Sequence, residues 1–399
     1  MNQRFTPFKP AKVLAFGIIF ILILLPLHAV LTTWLGSNFG HLDLFRIWKE
    51  MLLVPLTIGA AAIAYQDKQI KNWLLNSKLV RLILAYILLH FVLGIWAVYD
   101  GSVSRTALIY SLLINLRFLV FFLVCIVVAA KTSILGKNWK NLILWPAAVV
   151  VLFGLAQKFL LPSDFLRHFG YGPKTIPAIQ TIDQKPDYIR IQSTLRGANP
   201  LGAYLVLIIT ILAAYLVKLK KHWQTSKELR IVLLILMSVV VLFFTYSRSA
   251  WLGAVLSIGF LALLLFNNPK KRQLTLLVTA AVTTVAVGLV FSLRNNNLLQ
   301  NTLFHTDETS HSAESSNTVR TQAMLDGAKS VIKRPLGSGP GTAGPASFRN
   351  SGHKARISEN YFIQIGQEVG ILGLLIFLAI NLVVAKELWK LRPEILPTV

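Results

Sequence analysis

Apolar runs of about twenty residues recur along this chain, and short polar stretches separate them. Runs of 18 or more apolar residues can cross a hydrocarbon layer about 30 Å thick. Ordinary core helices are shorter and amphipathic. The pattern predicts ten membrane spans, within a range of 10–12: 13–34, 50–65, 80–99, 106–130, 141–161, 200–217, 230–246, 249–266, 273–293 and 359–385. The fold class that follows is an all-α polytopic membrane protein, one integral membrane domain over 1–399. The second span is short, and is expected to be tilted or partly buried. Arg4, Lys9 and Lys12 ahead of the first apolar run resemble a signal peptide. That run is long for one and lacks a small-residue cleavage site, so it reads as a retained span.

Basic residues set the orientation. One alternate set of connections is short and basic: Lys68, Lys71, Lys78 and Arg81; Lys131, Lys137 and Lys140; Lys218 to Arg230; Lys270 to Arg272; and Lys386 to Arg392. With the N-terminus, these are expected on the cytoplasmic side, so both termini are cytoplasmic. The complementary segments then lie outside. They include two large extracytoplasmic loops, 162–199 and 294–358. ATP is not available there, so ATP-driven chemistry is not expected.

Composition adds three points. The chain is 55% hydrophobic, with mean hydropathy +0.62. The net charge of +24 suits a nucleic-acid ligand only if it is gathered on one face. Here it is spread over short loops, so the reading is no nucleic acid. The single cysteine, Cys125, lies inside a span, so one chain can form neither a disulfide nor a cysteine metal site.

Three polar segments fall on the outer side and can carry chemistry. In the first, an extended Arg190–Arg196 would put Arg190, Gln192, Thr194 and Arg196 on one face. Asn199 is a good N-cap and Pro200 a good first helical residue. The sixth span would then open with free N–H groups beside two arginines, which suits a phosphate; arginines snorkelling to lipid headgroups is the other reading. The second segment, Thr245 to Trp251, is a tight turn that pins Arg248 at the surface, with Ser247 or Ser249 capping the next helix; an interfacial anchor is its other reading. The third, 294–358, has three parts. A polar lid holds His305, Asp307, Glu308, His311 and Glu314, whose spacing matches no metal pattern. An amphipathic helix over 317–334 carries Met324, Ala328, Val331 and Ile332 as its apolar stripe, and is expected to lie on the membrane surface. Pro335 to Gly344 is glycine-rich, but lacks the strand and the Lys-Ser/Thr ending of a P-loop. It is expected to be a tight surface turn.

The last span opens at Ser358, Glu359, Asn360 and Tyr361. Gly366, Gly370 and Gly373 give it a small face for close packing. Glu359 at its mouth can act as a base. Glu368 lies deeper and Arg117 is similarly deep in span four. Intramembrane charges face a cavity or each other, so an Arg117–Glu368 pair is expected.

Taken together, these segments resemble the O-antigen ligase/polymerase family of bacterial envelope glycosyltransferases. The matching pieces are RGANPLG over 196–202, YSRSAWLG over 246–253, Arg320, RPLGSGPG over 334–341, ENY over 359–361 and EVGILG over 368–373, with Lys49 and Glu50 at the second span. The resemblance implies a GT-C-like membrane enzyme without a cofactor or metal. It would move a glycan from undecaprenyl pyrophosphate to an acceptor hydroxyl outside the bacterial cytoplasmic (inner) membrane, with inversion. Arg196, Arg248, Arg190 and Arg320 are carried over as the donor pyrophosphate ligands. Asn199, Asn360, Tyr361, Arg117 and Glu368 would support them. Family ligases have a histidine where this chain has Glu359. Glu359 is therefore the expected base, with His353 as the alternative. The expected partners are an undecaprenyl-pyrophosphate-linked glycan donor, a glycan, lipid or protein acceptor, and membrane lipid. A Wzy-type polymerase and a protein O-oligosaccharyltransferase remain open, as does, in another class, a transporter or flippase of an anionic or lipid-linked substrate. A transporter would need repeats and midplane sites, and no repeat relates the two halves.

Overall fold

A computed structural model describes residues 9–182, 185–219, 225–265, 316–351 and 353–390, with single positions at 270, 273, 274 and 277. Most of the ninth predicted span and the whole lid with His305, Asp307, Glu308, His311 and Glu314 lie outside the described residues. Among the described residues, six helical stretches are long and apolar enough to cross a membrane: Pro10–Phe39, Lys78–Tyr99, Arg105–Ala129, Ile134–Phe159, Ala198–Val217 and Tyr361–Lys390. The predicted spans 50–65, 230–246 and 249–266 also fall on helices. The chain divides into two compact units.

The first unit holds the start of α1 (Lys9–Leu24) together with α4 (Trp48–Gln66), α5 (Lys68–Asn76), α6 (Lys78–Tyr99), α7 (Arg105–Ala129), α12 (Ser316–Lys333) and α13 (Tyr361–Lys390). Helix α1 meets α4 where Gly17 faces Leu56 and Gly59 faces Leu14. The core joins α6, α7 and α13 through Ile83, Tyr86, Leu116, Leu119, Ile365, Val369 and Phe377. The basic connection after span two is a helix, α5, rather than a loop. Asp67 caps it, accepting from the N–H groups of Gln69 and Ile70, and Lys131 bonds the same carboxylate.

Helix α12 packs on α13 through small and β-branched residues. Gly327 faces Ile363 and Ser358, Val331 faces Gly366, and Ser330 accepts from the Gln367 amide at 2.9 Å. Of the predicted apolar stripe, Ile332 is 77% exposed and does not join this packing. A Gly at 327 lets two helices approach where any side chain would overlap.

The glycine-rich segment 335–344 is not a surface turn. Gly339, Pro340 and Gly341 are buried, and the segment runs against α6 and α7 at Ala97, Val103 and Ala107. Alongside it α13 is broken, with Val369 at φ −119° and Gly370 at φ +71°. The segment ends in a short 3-10 helix, Gly344–Arg349, held to α7 by Arg349 over the Tyr110 ring.

The second unit holds α2 (His28–Phe39), α3 (Leu42–Arg46), most of α8 (Ile134–Phe159), the strands β1 (Gln180–Ile182) and β2 (Lys185–Arg190), α9 (Ala198–Leu219), α10 (Thr225–Phe244) and α11 (Arg248–Leu265). Val150, Val151, Ile191, Leu201, Leu205, Ile209, Val241 and Leu242 form its core. The described part of the first large polar segment is built from short elements. A 3-10 turn, Phe165–Phe169, buries Leu166 beside Ala29 and Tyr171. The strands then pair antiparallel with Gln180 opposite Arg190.

Candidate active site

In the second unit the predicted donor residues are organised around the start of α9. Residues 190–196 are not extended. Ser193 takes φ +50°, and the Leu195 N–H returns to the Gln192 carbonyl. Gln157 of α8 causes the bend. Its Oε1 accepts the N–H groups of Gln192 and Ser193, at 3.2 and 2.8 Å. Ser193 Oγ donates to the Val150 carbonyl, and Thr194 Oγ1 to the Pro26 carbonyl. Gln192 and Thr194 are therefore buried, while Arg196 is exposed. The four side chains do not share a face.

Asn199 is not the N-cap either. Helix α9 begins at Ala198, and Gln180 of β1 accepts the Ala198 N–H at 3.0 Å. Gly197 occupies the cap position, and its carbonyl accepts the Leu201 N–H. Asn199 Oδ1 instead accepts from Arg190 Nη2 at 2.6 Å, and Arg190 Nε donates to the Thr245 carbonyl at 2.9 Å. One guanidinium thus ties the hairpin to both the start of α9 and the α10–α11 turn. Gln180, Arg190, Arg196, Gly197, Ala198, Asn199 and Pro200 line an open pocket of about 380 Å³, at the small end of ligand pockets.

Thr245 lies three residues before Arg248. The turn between them is tight: Tyr246 takes φ +50°, and the Ser247 carbonyl accepts from Ala250 and Trp251. Arg248 is the first residue of α11 and is half-buried. Trp251 stacks on Phe243 with ring centroids 5.6 Å apart and donates to the Leu242 carbonyl.

The first unit holds the other predicted residues. Glu359 takes φ +53°, a left-handed conformation that costs a non-glycine residue about 1–2 kcal/mol. Asn360 follows it and caps α13, accepting from Phe362 and Ile363 at 2.9 and 3.2 Å. Arg320 Nε lies 3.8 Å from the Glu359 carboxylate, both about half-exposed. Arg320 is thus brought to the candidate base. His353 is exposed, and its N–H reaches the Asn350 carbonyl at 3.3 Å. Tyr361 packs edge-on to Phe377.

Arg117 and Glu368 do not pair. Arg117 meets Glu50 of α4, and Lys49 meets the same carboxylate at 3.4 Å. Glu368 is buried, 1% exposed, and is bonded by neutral donors: Ser111 Oγ at 3.1 Å, Asn115 Nδ2 at 2.6 Å and the Gly341 N–H at 2.7 Å. Spacing cannot reveal Glu50 as the partner, because α4 reaches α7 only through tertiary packing. Gln157, Gln180 and Thr245 were likewise missed: isolated amides and a backbone carbonyl leave no motif. Among the described residues no group of three His, Cys, Asp or Glu side chains is placed to hold a metal ion.

Residues 232–378 match the family model described as O-Antigen ligase. The match takes in Arg248, Arg320, Glu359 and Glu368 and leaves Arg190 and Arg196 outside it. No curated protein matches the chain. Members of this family are glycosyltransferase-type enzymes that take a lipid-linked glycan donor and a glycan acceptor in general. Over residues 232–378 the chain is thus similar to the O-antigen ligase family, and among its described residues six helices are apolar and long enough to cross a membrane, as in a multi-pass membrane protein.

Proposed function

We propose that the protein moves a glycan from undecaprenyl pyrophosphate to an acceptor hydroxyl at the outer face of the cytoplasmic membrane, with inversion and without a metal ion. The observation that carries this reading is the bracing of Arg190. Its bonds to Asn199 and Thr245 fix a guanidinium at a pocket shared with Arg196, on the turn that presents Arg248. Cations held in advance of the reaction stabilise charge that develops on a leaving group, and planar guanidinium forks match phosphate oxygens.

In the step itself, the acceptor oxygen bonds to the anomeric carbon from the face opposite the pyrophosphate. The carbon–oxygen bond to the carrier breaks, and its electron pair leaves with the pyrophosphate, against Arg190, Arg196 and Arg248. Glu359 takes the proton from the acceptor hydroxyl. Arg320 is assigned to Glu359 rather than to the donor, because its guanidinium sits on that carboxylate. It orients the base.

One observation favours the transporter reading: α13 is broken, as helices at transporter binding sites are. The break here is filled by loop backbone (Ser338 and Gly339 N–H to the Gln367 and Glu368 carbonyls). That filling supports a fixed scaffold over a binding cavity.

The test is purified protein in nanodiscs with undecaprenyl-pyrophosphate glycans and a panel of acceptors: lipid A-core, a second lipid-linked glycan and a serine-containing peptide. Release of undecaprenyl pyrophosphate in the presence of chelator is expected with one acceptor. Lipid A-core identifies a ligase, the second glycan a polymerase, and the peptide a protein O-oligosaccharyltransferase. No release with any acceptor, alongside donor movement across a liposome bilayer, would replace the enzyme with the transporter.

A further inference from the structure

The break in α13 and the glycine segment beside it form one object. At membrane depth, backbone that leaves a helix must find partners inside the protein. Here the partner is a second run of backbone. Ser338 N–H donates to the Gln367 carbonyl at 2.8 Å, Gly339 N–H to the Glu368 carbonyl at 2.9 Å, and Ile371 N–H to the Pro335 carbonyl at 2.8 Å. The approach needs glycine on both sides. A Cβ at 337 would lie 2.6 Å from the Glu368 carbonyl oxygen and from the Gly370 nitrogen, and one at 370 would overlap the Pro335 carbonyl.

Glu368 closes this object from the side. Its Oε1 accepts from the Gly341 N–H and from Ser111 of α7, and its Oε2 from Asn115 one turn further along α7. Among the described residues no cation forms an ion pair with it. A buried carboxylate served only by neutral donors is an expensive filler, so its placement calls for a reason. The elements it ties together supply one. The loop is continuous upstream with α12, which carries Arg320, and α12 is also bonded to α13 through Gln367 and Ser330. Downstream, Asn350 is held by the Ser104 N–H and the Ser102 carbonyl, and Gly344 N–H reaches the Arg356 carbonyl, three residues before Glu359.

We propose that Glu368 is a positioning residue: its carboxylate locks the glycine loop into the break of α13 and thereby sets Arg320 of α12 against Glu359. The functional half of this inference rests on the role proposed for Glu359.

The test uses one thiol. In a Cys125→Ser background, Ala343→Cys places a sulfur at a loop position that is 0% exposed. With Glu368 intact this thiol is expected to resist a maleimide reagent. Glu368→Leu takes the acceptor from the Gly341 N–H, Ser111 and Asn115, and unmet buried donors of this kind correspond to roughly tenfold or more in loop opening; labelling should accelerate by that factor. Glu368→Gln, whose new NH2 is met by the unpaired Oδ1 of a turned Asn115 amide, should keep protection. Ser111→Ala, which removes one of the donors to Glu368, should give a smaller acceleration and keeps the test alive if Glu368→Leu fails to fold. In the transfer assay Glu368→Leu should lower kcat at least tenfold with the KM for donor unchanged, and Glu368→Gln should recover it. Full protection in both Glu368→Leu and Ser111→Ala would overturn the lock. Faster labelling with kcat unchanged would overturn the positioning role. If the unaltered protein transfers nothing, the proposed function fails while the labelling still reads the lock.

Discussion

At the scale of single residues, the candidate site is built from side chains that hold other side chains. Arg190 carries the clearest case. Arg190→Lys keeps the charge but loses the fork that spans Asn199 and Thr245, and an ammonium is not equivalent at such a place. It should lower donor affinity about tenfold or more, read as a rise in donor KM, with the protein still inserted. Gln180→Ala should act the same way and more weakly, because it releases the Ala198 N–H, a loss of about 1 kcal/mol. Glu359→Gln should bind donor normally and lose turnover. If His353→Ala is the dead variant and Glu359→Gln turns over, the base is misassigned.

At the scale of elements, the helices were legible and the polar connections were not. Apolar length alone marks a span, so the predicted runs fall mainly on helices where the residues are described, apart from ragged ends and the break in α13. The connections depend on distant partners. The bend at 190–196 is made by Gln157, and the burial of 339–341 is made by the break in α13. A glycine-rich stretch reads as a surface turn until the backbone that needs it is known. Gly339→Ala tests this reading: its Cβ would overlap Ala97, and its φ is +94°. Strain of about 1–2 kcal/mol and overpacking of about 1–3 kcal/mol should lower the melting temperature, whereas a surface turn would tolerate alanine with little change. Helix α5 gives a pH test. The Lys131 hydrogen bond, then the Ile70 N–H, hold the Asp67 carboxyl below its ordinary pKa. The stabilisation is therefore complete above the unfolded value of about 4 and is lost as pH falls through the lowered folded value. Proteolysis between α4 and α5 should increase in acid, and Asp67→Ala should show that susceptibility already at neutral pH.

At the scale of the whole molecule, the likeness to O-antigen ligases rests on residues 232–378, and the membrane reading on the apolar helices among the described residues. The site residues follow only in part. Arg190, Arg196 and Arg248, which the motifs single out, all fall in one unit: on the hairpin, just before α9 and at the start of α11. Charge pairing across helices was not legible: Arg117 goes to Glu50 and Glu368 to neutral donors, because register between spans distant in sequence is set by packing of small residues. The central claim is transfer from a pyrophosphate carrier held by arginines. The most direct measurement is the ratio of undecaprenyl pyrophosphate released to glycan bonded to acceptor, for the unaltered protein and for Arg196→Ala/Arg248→Ala. A ratio of one to one, with no release by the membrane-inserted double variant, is the predicted result. Undiminished transfer by that variant would contradict the account.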